Sequence, residues 1–268
     1  MSARDWQKVT RQRHGERTWH HVTNFTFAAG LRHAVLTTSE IARCALAFPV
    51  VFGADGAPVA LLRVTAPRSI FVSVKGAWRA AVLPEILRLY PFHADVQSDK
   101  QGEVTLWVDE ASGCVSRDKC GLSFFTPEGL TQDLADIAEA FARRHRDATK
   151  LSACYGAMEA CRLLAPLTEG ENGGEEPAAY RRVDAERLAA LTETEMLTLH
   201  RNGALGLAQA CALSMGHMDW MQRAEARISC AEPSSSKTSK VAGFLAEVGR
   251  AQAQDAELFT SASLQAAR

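Results

Sequence analysis

Trp78, Arg88, Tyr90 and Phe92 gather aromatic rings around a guanidinium in a stretch that Pro84 and Pro91 fence on either side of the arginine. A guanidinium is planar and permanently charged, so it can grip a carboxylate with paired bonds or stack on a ring. Rings beside it supply apolar area, and the four together could line a cleft for a ligand or a partner. Glu40 joins this candidate binding set as the upstream carboxylate available to Arg88. The competing reading is a structural hub, with Arg88 buried against backbone carbonyls or Glu40 and the aromatics packed in the core.

Other chemistry has weaker support. Gly-x-Ser-x-Gly is absent, and no cysteine has neighbours that would lower its pKa. There is no Gly-x-Gly-x-x-Gly and no phosphate loop, so a nucleotide or dinucleotide is not expected. The nearest approaches to a metal site are Cys114 with Cys120 and His93 with Asp95, each short of a full ligand set. His20 and His21, adjacent on an expected strand, would point to opposite faces. Asp109 and Glu110 diverge in the same way, which argues against an acid/base pair. No metal and no cofactor is expected.

The positioning elements follow from local sequence. Pro84 suits a first helical position, Pro91 takes Tyr90 out of the helical region, and about two turns fit between them. Thr37-Thr38-Ser39-Glu40 has the form of a capping box that opens a short helix ending at Phe48-Pro49. Phe48–Phe52 and Pro58–Val64 read as a hairpin across a glycine-containing turn, and Trp19–Phe25, Ser69–Val74, Val104–Val108 and Cys120–Phe125 read as further strands. After Thr126-Pro127-Glu128-Gly129 the period changes from two to about 3.6, and everything downstream is expected to be helical. One helical pattern carries Leu134, Ile137, Ala138 and Phe141, and a second runs from Leu151 to Leu164. The fold class is α+β, an antiparallel, sheet-rich first part packed with a helical C-terminal part.

Five parts are expected: a flexible basic arm at 1–18, a β-rich core at 19–167, an acidic glycine-rich loop at 168–178, a helical part at 179–231, and a Ser-rich spacer with a terminal helix at 232–268. The net charge of -1 and the apolar fraction of 47% suit a globular body with no general nucleic-acid surface. No secretory signal and no membrane-spanning helix is evident. Seven scattered cysteines read as reduced thiols, so a soluble, cytoplasmic protein is expected. The small residues Ala204, Gly206, Ala208, Ala210 and Ala212 offer a close-approach surface that could support a homodimer.

Glu40-Ile41-Ala42, Phe48–Phe52, Pro58–Leu62, Ile70-Phe71-Val72, Gly76-Ala77-Trp78, Leu83-Pro84 and Arg88–Phe92, in that order, resemble the SapC-like family. Tyr180–Leu188 and Gly203-Ala204-Leu205 are similar to its C-terminal motifs, so the resemblance runs from about Val22 to Met221. Leu89 departs from the pattern, which usually carries a second arginine there, and Ala81-Val82-Leu83 replaces an expected aromatic. The resemblance implies a protein labelled as a peptide-transport component, commonly found beside flavin-dependent halogenase-like proteins and TonB-dependent receptors. The expected function is a non-catalytic accessory or binding protein recognising a peptide, a protein partner or a small aromatic ligand. The alternative is an enzyme that modifies a peptide or aromatic amino acid in company with a flavin-dependent halogenase-like protein.

Overall fold

The computed structural model describes residues 4–97, 103–118, 120–167 and 180–231. The acidic loop at 168–178 and the spacer and helix at 232–268 lie outside the described residues. The chain divides into two compact units, 1–225 and 226–268. The architecture below is that of the first; residues 226–231 of the second are helical.

The N-terminal residues are built into a sheet where a loose arm was expected. Trp6–Lys8 (β1) pairs antiparallel with Val104–Asp109 (β7), which pairs in turn with Phe92–Val96 (β6). A short helix, Arg11–His14 (α1), follows. Its basic neighbours have acceptors, Arg13 and Arg17 on Glu110 and Arg11 on the carbonyls of Thr126 and Pro127. Charge-assisted bonds to fixed partners hold a segment whose composition suggested solvation.

A second sheet has the order β10-β11-β4-β5-β3, formed by Leu164–Pro166 (β10), Arg181–Val183 (β11), Val50–Phe52 (β4), Pro58–Leu61 (β5) and His33–Val35 (β3). The expected β4–β5 hairpin is present, with every residue of both strands buried. Strands β10 and β11 correct the expectation of a wholly helical second half; each is three residues long, too short to show a period. A third, small sheet places Thr18–Trp19 (β2) between Val115–Ser116 (β8) and Leu122–Ser123 (β9). The strand expected over Trp19–Phe25 therefore stops at Trp19. The one expected over Ser69–Val74 forms no ladder beyond a Val72–Trp78 bridge. Its backbone bonds close locally instead, with Ser73 N–H donating to Ala77 and Arg79 N–H to Phe71.

Thr37 and Glu40 form the expected capping box of Thr38–Cys44 (α2). Glu85–Arg88 (α3) is one turn long, with Pro84 as its cap, not its first helical residue, and a cis Tyr90–Pro91 peptide after it. Gln132–Ala160 (α4) merges the two expected helical patterns into one helix of 29 residues. No glycine or proline lies between Phe141 and Leu151 to break it. Four helices complete the described chain, Ala185–Ala189 (α5), Glu193–Arg201 (α6), Ala204–Ser214 (α7) and His217–Ala231 (α8). Gly203, at φ 71, makes the left-handed link into α7. Helix α7 packs Ala204, Ala208 and Cys211, all fully buried, within the chain.

The apolar side chains form two cores, and α4 runs through both. Leu134, Ile137, Ala140 and Phe141 pack with Trp19, Leu89, Phe92 and Phe124 in the smaller core. Leu151, Cys154 and Met158 belong to the larger one, built on α2, β4, β5 and α7. Between these two halves of α4 lie Arg143, Arg144 and Asp147, where the helix passes α2 and α3.

Candidate functional site

Glu85 and Arg88 are the first and last residues of α3. Their i, i+3 spacing sets them on one side of the turn, with Arg88 Nη2 3.5 Å from Glu85 Oε1. The Arg88 side chain is 61% exposed, so it is not the sealed arginine of the hub reading, and its carboxylate partner is Glu85, not Glu40.

The buried role falls to Glu40 and Arg144. Glu40 Oε2 accepts from Thr37 N–H at 3.0 Å, from the Thr37 hydroxyl at 2.8 Å and from Arg144 Nη1 at 3.0 Å. Its Oε1 accepts from the backbone N–H of Glu85 at 2.6 Å. That N–H is an orphan donor at the start of α3, so one carboxylate caps two helices. Arg144 also donates to the Val35 carbonyl at 2.7 Å and lies 3.4 Å from Glu85 Oε2. Burial pushes the Glu40 carboxyl up, but the N–H of Glu85, both Thr37 donors and the Arg144 guanidinium outweigh it and hold it below its usual range. Helices α2, α3 and α4 are thereby tied at a single point.

Tyr90 and Phe92 continue from α3. The Tyr90 ring stacks on Phe27 with centroids 3.8 Å apart, and its hydroxyl donates to Asp109 Oδ2 at 2.8 Å. Burial, then the bond to Asp109, raises the phenol above its ordinary range. Phe92 is buried edge-to-face against Trp19 at 4.9 Å. Trp78 lies apart from them. Its ring packs against Phe25, Phe48 and Phe71, and its Nε1–H donates to the Val82 carbonyl at 2.9 Å.

The proposed set therefore separates into a groove and a scaffold. A groove of about 300 Å³ is lined on one side by Glu85, Arg88, Leu89, Tyr90 and Phe92. Helix α4 supplies the facing side with Asp133, Asp136, Ile137, Ala140 and Arg143, and Trp19 and His21 complete it. Arg143 Nη2 stands 2.7 Å from the same Glu85 Oε1 that Arg88 approaches. Glu40 and Trp78 do not line this groove. Leu89, between Arg88 and Tyr90, is buried in the smaller core, so no guanidinium follows Arg88 there. The second guanidinium of the groove comes from α4 instead.

Sequence reasoning missed Arg143 and Arg144, yet Arg144 had a signal. It falls on the stripe Ile137, Phe141, Ala148, Leu151 of α4, and an arginine on a buried helical face needs a carboxylate. A second hollow of about 240 Å³ lies near Val35, Asp55, Arg144 and Leu151; its arginine is the one already tied to Glu40, Glu85 and Val35.

The thiols are placed for packing. Burial pushes Cys44 and Cys211 up to about 12 and raises Cys114, Cys154 and Cys161 as well, the opposite of an activated nucleophile. Asp109 and Glu110 serve different partners, Tyr90 for the first and Arg13 and Arg17 for the second. His93 Nε2 lies 3.7 Å from Asp95 Oδ1 on the exposed face of β6. Among the described residues, no group of three or more His, Cys, Asp or Glu side chains could hold a metal ion. Nor is any described helix long and apolar enough to cross a membrane.

No curated protein and no solved structure matches the chain. The sequence model of the SapC family matches residues 9–221, which take in α3, the whole of α4 and the groove between them. This match spans most of the chain, and the chain belongs to the SapC family.

Proposed function

We propose that this SapC-family chain is a non-catalytic binding protein whose α3–α4 groove receives a ligand with a carboxylate and an apolar body, a peptide or a small aromatic acid. The observation that carries this reading is the pair of guanidiniums at one end of the groove. Among the described residues, Arg88, Arg143 and Arg144 pair with Glu40 and Glu85, three guanidiniums on two carboxylates, beside exposed donors. A ligand carboxylate bridging Arg88 and Arg143 would add a third with charge-assisted bonds. The Trp19 ring, edge-to-face against Phe92, backs the apolar part of the groove wall.

N-acetylphenylalanine is a suitable probe, because it has a carboxylate and a ring but no amine. Calorimetric titration is expected to show binding that weakens about tenfold in Arg88→Gln, the loss of one charge-assisted bond of roughly 1.5 kcal/mol. The same affinity in the variant, or no binding by the native chain, would contradict the reading.

A further inference from the structure

Helix α4 presents a graded stripe to the groove. Asp133, Asp136, Ile137, Ala140 and Arg143 follow one another at i, i+3, i+4, i+7 and i+10, so all five lie near one face. The charge runs from carboxylates at one end, through an apolar middle, to guanidiniums at the other, where Arg143 and Arg88 meet at Glu85. Both aspartates are exposed, and Asp136 accepts from Gln132 Nε2 at 2.7 Å. The groove is therefore polar in the electrical sense, acidic at one end and basic at the other.

The length of that gradient selects among zwitterions. Seven residues of helix from Asp136 to Arg143 span about 10 Å, at a rise of about 1.5 Å per residue. In a free amino acid the amine and carboxylate are separated by a single α-carbon and cannot reach both ends. An extended chain advances about 3.3–3.6 Å per residue, so three residues cover roughly 10 Å. We infer that the groove takes a short peptide of about three residues with both termini free. Its carboxylate lies at Arg88 and Arg143, its ammonium at Asp133 and Asp136, and an apolar central side chain rests over Ile137 and Ala140. This rests on the reading of the groove as a carboxylate site and adds to it the ligand's length and direction.

The test compares Ala-Phe-Ala, N-acetyl-Ala-Phe-Ala and N-acetylphenylalanine by calorimetric titration on the full chain and on Asp133→Asn/Asp136→Asn. Both aspartates are exposed, and a cooperative thermal unfolding transition confirms that the variant is folded. Ala-Phe-Ala is expected to bind the native chain about fivefold tighter than its acetylated form, the upper end for an exposed ion pair. In the double variant that advantage is expected to disappear, the free and acetylated tripeptides then binding alike. Equal binding of the free and acetylated tripeptides, or an advantage that survives in the variant, overturns the inference and leaves the carboxylate reading standing. Failure of all three probes to bind the native chain removes both.

Discussion

Arg144 Nη1 stands 3.0 Å from Glu40 Oε2, with only 10% and 7% of the two side chains exposed, whereas Arg88, one helical turn from Glu85, is mostly in solvent. Two arginines near one acidic pair thus do different work, one fixing α4 to α2 and α3, the other facing outward. Removing one member of a buried pair strands the other, at a cost of about 3–5 kcal/mol. Arg144→Leu and Glu40→Leu are each expected to lose that much in urea unfolding. Arg88→Gln is expected to change stability by less than about 0.5 kcal/mol. Comparable losses in all three would mean that Arg88 is structural.

Trp78 belongs to the scaffold, so its truncation should separate folding from binding. Trp78→Ala is expected to destabilise by about 2–4 kcal/mol, since the ring packs on three core aromatics. The affinity of the folded variant for N-acetylphenylalanine should match that of the native chain. A selective loss of affinity, with the unfolding midpoint unchanged, would return Trp78 to the groove.

Acid should loosen the N-terminal segment through Glu110. The bond to Arg13 is the largest influence on its carboxyl; burial opposes it, and Arg17 reinforces it, for a value of about 2. The folded pKa lies below the ordinary value of 4.5, so this contribution is complete above about pH 4.5 and is lost as the pH falls toward about 2. Glu40, lowered for the reasons given above, adds in the same direction. Glu110→Gln should be less stable than the native chain at pH 7, with the gap closing as the pH falls from 4.5. A gap independent of pH over that range would contradict the assignment.

Backbone conformation predicts two substitutions of opposite sign. Gly76 has φ +83, and an added Cβ would lie 2.0 Å from Asn24 Oδ1, so Gly76→Ala should cost about 2 kcal/mol or more. Arg162 closes α4 at φ 55, a left-handed position that favours glycine. Arg162→Gly is expected to stabilise by about 0.5 kcal/mol, the relief of left-handed strain less the entropy glycine adds to the unfolded chain. Thermal unfolding of both variants measures the signs.

Where a feature is local, the sequence displayed it. The capping box of Thr37 and Glu40, the β4–β5 hairpin and the proline-bounded turn of α3 each depend on neighbours within a few residues. Features that depend on distant partners were hidden. β1 is a strand only because β7, a hundred positions away, pairs with it. Arg88, Tyr90 and Phe92 stayed together because α3 and the residues after it carry them as one unit. Trp78 left them because the Gly76 turn and the loop to Pro84 direct it into the larger core. Arg143 could be recognised as part of the groove only once α4 was seen to pass beside α3.

Trp19 borders the groove and Trp78 lies away from it, so their indole N–H signals report on the central claim most directly. In a nuclear magnetic resonance titration with N-acetylphenylalanine, the Trp19 indole signal is expected to shift with saturation while that of Trp78 stays in place. Addition of ligand that moves the Trp78 signal and leaves Trp19 unchanged would contradict the account.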